Sequence, residues 1–188
     1  MNIEENEVIR ENLNKKCVIQ NYEKYPLPFH LSMTIRLVDS HKDNWNDNFQ
    51  HVMDMAYVED LFHLFAFLKT PSQLKDSKRM DITLFKLNIT PAWEDVSNMN
   101  GLRYCIIVGE DCVDDTWCSI VLMFAGASFD YMNNDINGVV LSVRNQVFKI
   151  WIWLKRIPSI DEDLFFKEKV NSKVQNPIVL KRIYHQPQ

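Results

Sequence analysis

Two short apolar segments in the last third of the chain constrain the fold more than any other feature. They are Gly138–Arg144 (GVVLSVR) and Lys149–Leu154 (KIWIWL), joined around Asn145 and Gln146. In the second segment two tryptophans alternate with aliphatic residues, so on an extended chain the two kinds of side chain occupy opposite faces. The pair therefore predicts an antiparallel hairpin within a larger sheet.

Five further segments have strand character, and three have helical character. The predicted strands are Phe29–Val38, Phe49–Met55, Met80–Leu87 and Arg103–Val108, with a short last strand within Ile178–Ile183. Apolar residues at helical spacing predict one helix around residues 61–68 and a second over Val113–Ala125, which Gly126 ends. A capping box from Ser159 to Glu162 opens a third helix towards Val174.

Strands therefore outnumber helices, and the short links between them favour antiparallel pairing. This pattern predicts the α+β class, in which helices cover one face of the sheet and the other face can bind a ligand. The 188 residues fit one domain, which we place at residues 25–188. Residues 1–24 are charged and polar, which predicts a flexible N-terminal tail.

Composition excludes several classes of protein. The formal net charge is −4 and the isoelectric point about 5.7, which argues against non-specific coating of nucleic acid but permits a local basic pocket. Four cysteines without a CxxC pair, together with the lack of a long apolar run, predict a reduced, intracellular protein without disulfides or a membrane segment.

Catalytic and cofactor motifs are missing from the sequence. It contains no GxSxG, P-loop, GxGxxG or HExxH motif, and its five histidines are scattered singly. The acidic residues Asp111, Asp114 and Asp115 fit the positive end of a helix dipole better than a metal site. We therefore expect no enzyme activity, no metal and no cofactor.

Two tryptophans stand in polar loops where an indole lacks apolar neighbours. Trp93 lies in Thr90–Asp95 (TPAWED), and Trp45 lies in Lys42–Asp47 (KDNWND). Three cations fall at the ends of predicted strands and could line one rim of a site: Arg103, Arg144 and Lys149. Trp151 and Trp117, in contrast, are assigned to the core.

These residues and their order resemble the family of eukaryotic translation initiation factor 4E, the messenger RNA cap-binding protein. The resemblance covers about residues 25–184. Its landmarks are Tyr25-Pro26-Leu27, Trp45, Val58-Glu59-Asp60, Pro91-Ala92-Trp93-Glu94-Asp95, Gly126 with Ser128-Phe129-Asp130, the segment Gly138–Arg144, and Lys149–Trp153. It implies a curved antiparallel sheet with about three helices on the convex face and a cap pocket on the concave side.

The resemblance also implies roles for individual residues. Trp45 and Trp93 are expected to stack on the cationic 7-methylguanine base, because an indole face attracts a delocalised cation. Glu94 is expected to accept hydrogen bonds from guanine, and Trp153 to contact the methyl group. The triphosphate is then expected to bind to Arg103, Arg144 and Lys149.

The sequence departs from the family on its second expected surface, where partners carrying a Tyr-x-x-x-x-Leu-apolar helix dock. By resemblance this surface comprises Tyr25, Pro26, Val58, Phe62, Cys118, Ser119 and Leu122. Phe62 stands where the family has tryptophan, and Ser119 stands where it has glutamate. Within the sheet, Leu31 and Thr34 also replace tryptophans, and Ser142 replaces a common asparagine.

Two functions remain open at this point. The chain is either an initiation factor that recruits a scaffold factor to capped messenger RNA, or a related protein that competes for caps and represses translation. Inhibitory proteins with the same helix motif are further expected partners. Either function predicts a cytoplasmic protein, with a nuclear pool as an alternative location. A cap-hydrolysing enzyme is disfavoured, because the sequence has neither a histidine triad nor a glutamate-rich metal motif.

Overall fold

The computed structural model describes residues 23–38, 49–77 and 79–185. Seven strands form one sheet, and every described neighbouring pair is antiparallel. The strands are β1 (Pro26–Leu37), β2 (Phe49–Tyr57), β3 (Met80–Lys86), β4 (Leu102–Val108), β5 (Ile136–Arg144), β6 (Val147–Leu154) and β7 (Lys181–Tyr184). Their order across the curved sheet is β2-β1-β3-β5-β6-β4-β7.

Three α-helices accompany the sheet in the described part of the chain: α1 (Val58–Phe67), α2 (Glu110–Ala125) and α3 (Ile160–Asn171). The start of α3 is fixed by a reciprocal capping box, in which the Ser159 hydroxyl accepts from the Glu162 N–H and the Glu162 carboxylate accepts from the Ser159 N–H. Gly126 caps the end of α2, as predicted. These caps satisfy backbone groups that the helices themselves leave unpaired.

The main core lies between the helices and one face of the sheet. Alternate residues of the central strands point into it, including Leu141 and Val143 from β5 and Ile150 and Ile152 from β6. Phe166 of α3 is fully buried there, and its ring stacks on Tyr104 with 4.6 Å between centroids. Side chains alternate along a strand, so the remaining side chains of these strands point to the opposite face, which the helices do not cover.

A small apolar cluster, consisting of Phe85, Val140 and Trp153, lies on the uncovered face of the sheet. Phe85 packs edge-on against Trp153, with 5.6 Å between ring centroids. The same phenylalanine covers Gly138, where an added Cβ would lie 2.4 Å from its ring. The sequence requires glycine at 138 because the Phe85 ring occupies the space of a side chain.

The observed fold confirms the predicted class and element order. The helix predicted from Val113 begins three residues earlier, at Glu110, because Glu110 and Asp111 supply the acidic first turn that helices favour. Most of the predicted tail, residues 1–24, lies outside the described residues. No helix in the described ranges is long and apolar enough to cross a membrane.

Phe166 should be a major source of stability. Truncation of Phe166 to alanine removes the stack on Tyr104 and the contact with Phe129, 5.3 Å between centroids. Buried Phe→Ala changes cost about 3–5 kcal/mol, so urea unfolding of Phe166→Ala should show a loss in that range. The matched control is Leu164→Ala on the exposed side of the same helix, expected to change stability by about 0.5 kcal/mol or less. Equal losses in the two variants would contradict this packing.

Candidate functional site

A cleft of about 170 Å³ lies on the uncovered face of the sheet. It is lined by Phe49, Asp81, Thr83, Pro91, Arg103, Val140, Ser142, Arg144, Trp151 and Trp153. We call it the open-face cleft. The lining combines aromatic rings, arginines and one carboxylate, which is a composition suited to a ligand that is both flat and anionic.

The strand register explains why these residues meet. Ser142 of β5 lies opposite Asp81 of β3 on one side and Lys149 of β6 on the other. One step along the sheet, Trp153 lies opposite Arg103 of β4. Since side chains alternate along each strand, all of these point to the same face.

The indole rings of Trp151 and Trp153 hold the guanidinium group of Arg103. Its central carbon lies 4.5 Å from the Trp151 ring centroid and 5.2 Å from that of Trp153. Arg103 forms no ion pair with any described residue, and burial lowers its pKa without displacing the proton at neutral pH. Two aromatic rings thus hold a cation whose N–H donors remain available to a ligand.

Asp81 is the one carboxylate lining the cleft within the described ranges, and it is 2% exposed. Both of its oxygens accept from Arg144 Nη2 at 2.8 Å, and one also accepts from the Ser142 hydroxyl at 2.5 Å. Arg36 approaches it to 3.4 Å from β1. The Ser142 hydroxyl in turn accepts from the Trp151 indole at 3.0 Å. Ser142 thus connects the Asp81 carboxylate to the Trp151 ring.

Arg144 is therefore already paired in this structure. Its second amino group, Nη1, donates to the backbone carbonyls of Met80 and Val143. Lys149 differs, because it forms no ion pair with the described residues. The three cations expected to hold phosphate lie along the same face, but among the residues that the structure describes only Arg144 has a carboxylate partner there.

The loop between β3 and β4 carries Trp93 and Glu94 and is held by buried amides. Asn98 is fully buried, and its side-chain amide donates to the carbonyls of Thr90 and Ala92, both at 2.9 Å. Asn137 of β5 donates to the Asn98 side-chain oxygen at 2.9 Å and anchors the loop to the sheet. Such a network fixes backbone geometry, because unpaired buried polar groups are costly.

Asp95 completes the loop from within. Its carboxylate accepts from the backbone N–H groups of Thr90 at 2.7 Å and Ser97 at 2.8 Å. Burial by itself would raise the pKa of Asp95, but these two N–H groups outweigh burial and lower it. The ionised Asp95 carboxylate thus connects Thr90 to Ser97 within the loop.

Trp93 and Glu94 have different surroundings. Trp93 is half-buried against the Phe85–Val140–Trp153 cluster at the edge of the cleft. Glu94 is exposed, and its carboxylate has no hydrogen-bond partner among the described residues. Trp45, the other expected stacking residue, lies outside the described residues. Trp153 lines the cleft but is only 2% exposed.

Several residues of the cleft were not identified from the sequence. Trp151, which we assigned to the core, is half-exposed and lines the cleft because it shares a face with Trp153. Asp81 and Arg36 were missed, although polar residues at 81 and 83 within an otherwise apolar strand indicate an uncovered face. No sequence signal marked Asn98, whose role depends on loop geometry. Among the residues that the structure describes, no group of side chains could hold a metal ion.

The expected partner surface lies on the helical side of the molecule. Phe62 of α1 and Cys118 and Leu122 of α2 line a groove of about 360 Å³, which we call the helix groove. Tyr25 is 69% exposed, and its N–H donates to both oxygens of Glu59 at the start of α1. The Val58 N–H donates to the Tyr25 carbonyl at 2.8 Å. Pro26 begins β1 next to this contact, and Ser119 is half-exposed on α2.

Asn98 should control the order of the loop. Asn98→Ala removes three buried side-chain hydrogen bonds, to Thr90, Ala92 and Asn137, so we expect a loss of about 1–3 kcal/mol in unfolding free energy. Amide hydrogen exchange of residues 90–100 should also become faster than in the wild type. The control is Asn100→Ala, an exposed asparagine in the same loop. Unchanged exchange in Asn98→Ala would show that other contacts hold the loop.

Comparison with known proteins places the chain in one family. Residues 24–184 match the family model described as eukaryotic initiation factor 4E. Eukaryotic translation initiation factor 4E1 of Drosophila melanogaster is 32% identical over 120 residues, which are 62% of this chain and 45% of that protein. The matched part thus spans less than half the length of that relative.

Two solved structures share the fold at sequence identities of 26% and 28%. Ascaris suum eIF4E-3, in complex with an m2,2,7G cap, aligns with a TM-score of 0.77 at 26% identity over 85% of this chain and 91% of that one. Caenorhabditis elegans eIF4E-3, in complex with the 4E-binding protein Mextli and a cap analog, gives 0.76 at 28% identity over 87% and 94%. The family match and the fold agree, and the chain belongs to the eukaryotic initiation factor 4E family.

Proposed function

We propose that this chain binds the 7-methylguanosine cap of messenger RNA in the open-face cleft and acts in translation initiation. One observation carries the proposal: Arg103, held by two indole rings and without a carboxylate partner among the described residues, lies in a cleft beside the loop that presents Glu94. This pairing offers donors to phosphate and an acceptor to a base. Structures of relatives were solved with cap analogs, which supports the same ligand.

The base is proposed to stack between Trp45 and Trp93. Methylation at N7 gives guanine a positive charge, and each cation–π contact contributes about 0.5–2 kcal/mol depending on how well water is excluded. Trp93 is already half-buried against the open-face cluster, so little side-chain freedom remains to be lost on binding. Trp153, at the centre of that cluster, is proposed to contact the methyl group.

Glu94 is proposed to select guanine. The two N–H donors on the Watson–Crick edge of guanine match a carboxylate, whereas adenine presents an acceptor at N1. Glu94 is exposed and has no partner within the described residues, so binding need not break an existing hydrogen bond. Charge-assisted hydrogen bonds of this kind are roughly twice as strong as neutral ones.

The triphosphate is proposed to bind Arg103, Lys149 and Arg144. Four cations, including Arg36, lie on this face near Asp81, the one carboxylate that lines the cleft in the described part of the chain. The local charge is therefore positive, although the whole chain is acidic. Arg103 and Lys149 can donate hydrogen bonds to phosphate directly. Arg144 must share its donors between Asp81 and phosphate, so we propose that it contributes less than the other two.

The role beyond cap binding depends on the helix groove. We propose that the groove and Tyr25, Pro26, Val58, Phe62, Cys118, Ser119 and Leu122 bind a Tyr-x-x-x-x-Leu-apolar helix of a scaffold factor or of an inhibitory protein, in the cytoplasm. Mextli, bound to Caenorhabditis elegans eIF4E-3, is described as a 4E-binding protein. An exposed aromatic at Phe62, 60% accessible, supports such docking.

A second function is favoured by two residues on the same surface. Ser119 offers a hydroxyl and no carboxylate, and Phe62 lacks the N–H donor of an indole. Both changes remove polar contacts that could orient a partner helix. A protein that holds caps without recruiting the scaffold, and so represses translation, is therefore the alternative.

Cap recognition can be tested by tryptophan fluorescence during titration with 7-methyl-GTP and GTP. We expect quenching at much lower concentrations of the methylated nucleotide. Glu94→Ala should weaken binding of 7-methyl-GTP by at least tenfold, about 1.4 kcal/mol, because guanine loses its acceptor. Glu168→Ala, an exposed glutamate on α3, is the control. Equal quenching by the two nucleotides in the wild type would refute the proposal.

Partner binding can be tested by calorimetric titration with a synthetic Tyr-x-x-x-x-Leu-apolar peptide. Scaffold recruitment predicts a saturable interaction that Phe62→Trp strengthens, because the indole adds contact area and an N–H donor. Phe67→Trp is the control, since Phe67 lies on the same helix, is 87% exposed and does not line the groove. Absence of binding by the wild type would contradict recruitment and support the repressor.

A further inference from the structure

His185 follows β7 and lies against residues of the open-face cleft, although no role was expected of it. Its ring packs on Trp153, with 4.6 Å between centroids and 49° between planes. Trp153 also contacts Phe85 and the Arg103 guanidinium. The indole proposed to contact the methyl group is therefore held in place partly by a residue from the sheet edge.

The same imidazole is tied to the loop that carries Trp93 and Glu94. His185 Nδ1 lies 2.7 Å from the backbone carbonyl oxygen of Asn98. A carbonyl oxygen only accepts, so Nδ1 carries the proton and donates. Asn98 is the buried residue whose amide holds the carbonyls of Thr90 and Ala92. One ring thus links the end of β7, the Trp153 indole and the recognition loop.

The surroundings of His185 favour the neutral ring. Its Nε2 atom is buried and has no hydrogen-bond partner among the described residues. Within those residues Arg103 of β4 is the charged group that acts on it, while Trp153 of β6 and the loop carbonyl of Asn98 are uncharged. Burial lowers the pKa of His185, and the Arg103 charge lowers it further, against an opposing effect of the Asn98 hydrogen bond.

We propose that His185 is a positioning residue of the guanine site, a neutral imidazole clamp that joins the methyl-contacting Trp153 to the loop carrying Trp93 and Glu94. The effect of His185 on ligand affinity rests on the cap-binding function proposed above. The clamp itself rests on two contacts, the ring on Trp153 and the hydrogen bond to Asn98. Loss of the first should reduce methyl preference, and loss of the second should loosen the loop.

The direction of the pH dependence follows from the lowered pKa. An unfolded histidine titrates near pH 6.5, so above that pH both states are neutral and the clamp contributes fully. As pH falls below about 6.5, the unfolded chain takes up the proton before the folded one, and the contribution is lost. Acidification should therefore weaken the clamp, and alkaline conditions should leave it intact.

Three variants separate the two contacts. His185→Ala removes both, His185→Phe keeps a ring on Trp153 without a donor, and His185→Asn keeps a donor near the position of Nδ1 without the ring. Tyr184→Ala is the matched control, since Tyr184 is 47% exposed and points to the other face of β7. Each protein is titrated with 7-methyl-GTP and GTP at pH 7.5, and amide exchange is measured for residues 90–100.

We expect His185→Ala to lose about tenfold in affinity for 7-methyl-GTP, comparable to the loss of one well-placed hydrogen bond, and to lose less for GTP. His185→Asn should retain slow exchange in the loop but show a reduced preference for the methylated nucleotide. His185→Phe should show faster exchange in the loop but retain the preference for the methylated nucleotide. The clamp would be overturned if His185→Ala and His185→Phe had the same nucleotide affinities, the same preference for 7-methyl-GTP and the same amide exchange as the wild type.

A spectroscopic measurement on the ligand-free protein tests the clamp independently of cap binding. A protonated imidazole in contact with an indole quenches its fluorescence. Because burial lowers the pKa of His185, wild-type emission should fall only at a pH below the range in which a free histidine titrates. This change should be missing from His185→Ala and His185→Phe. The same acid-dependent change in all variants would refute the contact. If the wild type failed to distinguish the nucleotides, cap recognition would be rejected while emission and exchange still decided the clamp.

Discussion

The alternation of side chains along the central strands is the constraint on which this molecule depends. In β3, Ile82 and Leu84 point to the helix groove, whereas Asp81 and Thr83 point to the open-face cleft. In β5, Leu141 faces the helices and Ser142 faces the cleft. Because the period of a strand is two, the helices pack on one set of alternate side chains, and the other set lies on the uncovered face. The same strands thus build both surfaces, with different residues on each face.

Hydrogen bonding converts this uncovered face into a specific site. A flat sheet face with tryptophans would bind many apolar molecules. Here the buried amides of Asn98 and Asn137 fix a loop at its edge, and Asp81 holds Arg144 in a defined place. Such groups are costly when left unpaired, so they specify one arrangement rather than several. Arg103 is held differently, by aromatic faces, which keeps its charge available for a ligand.

The sequence was sufficient to predict the sheet, the three helices and their order, because apolar periodicity, the Ser159–Glu162 capping box and Gly126 are local signals. It was less informative about the site. Trp151 was placed in the core because its apolar character alone does not tell which face is covered. Asp81, Arg36 and His185 were missed because their roles arise from partners far away in the chain, such as Asp81 with Arg144 at 2.8 Å. The stacking role of Trp45 stays a prediction, since that residue lies outside the described part of the chain.

The two surfaces of the molecule lie back to back on shared strands, and this placement has an evolutionary consequence. A substitution in α1 or α2, such as phenylalanine at 62, alters the rim of the helix groove without touching a residue that lines the cleft. Selection can therefore change which proteins the chain associates with while ligand recognition is preserved. A duplicated gene with this architecture can acquire a new regulatory role through a few changes on one side.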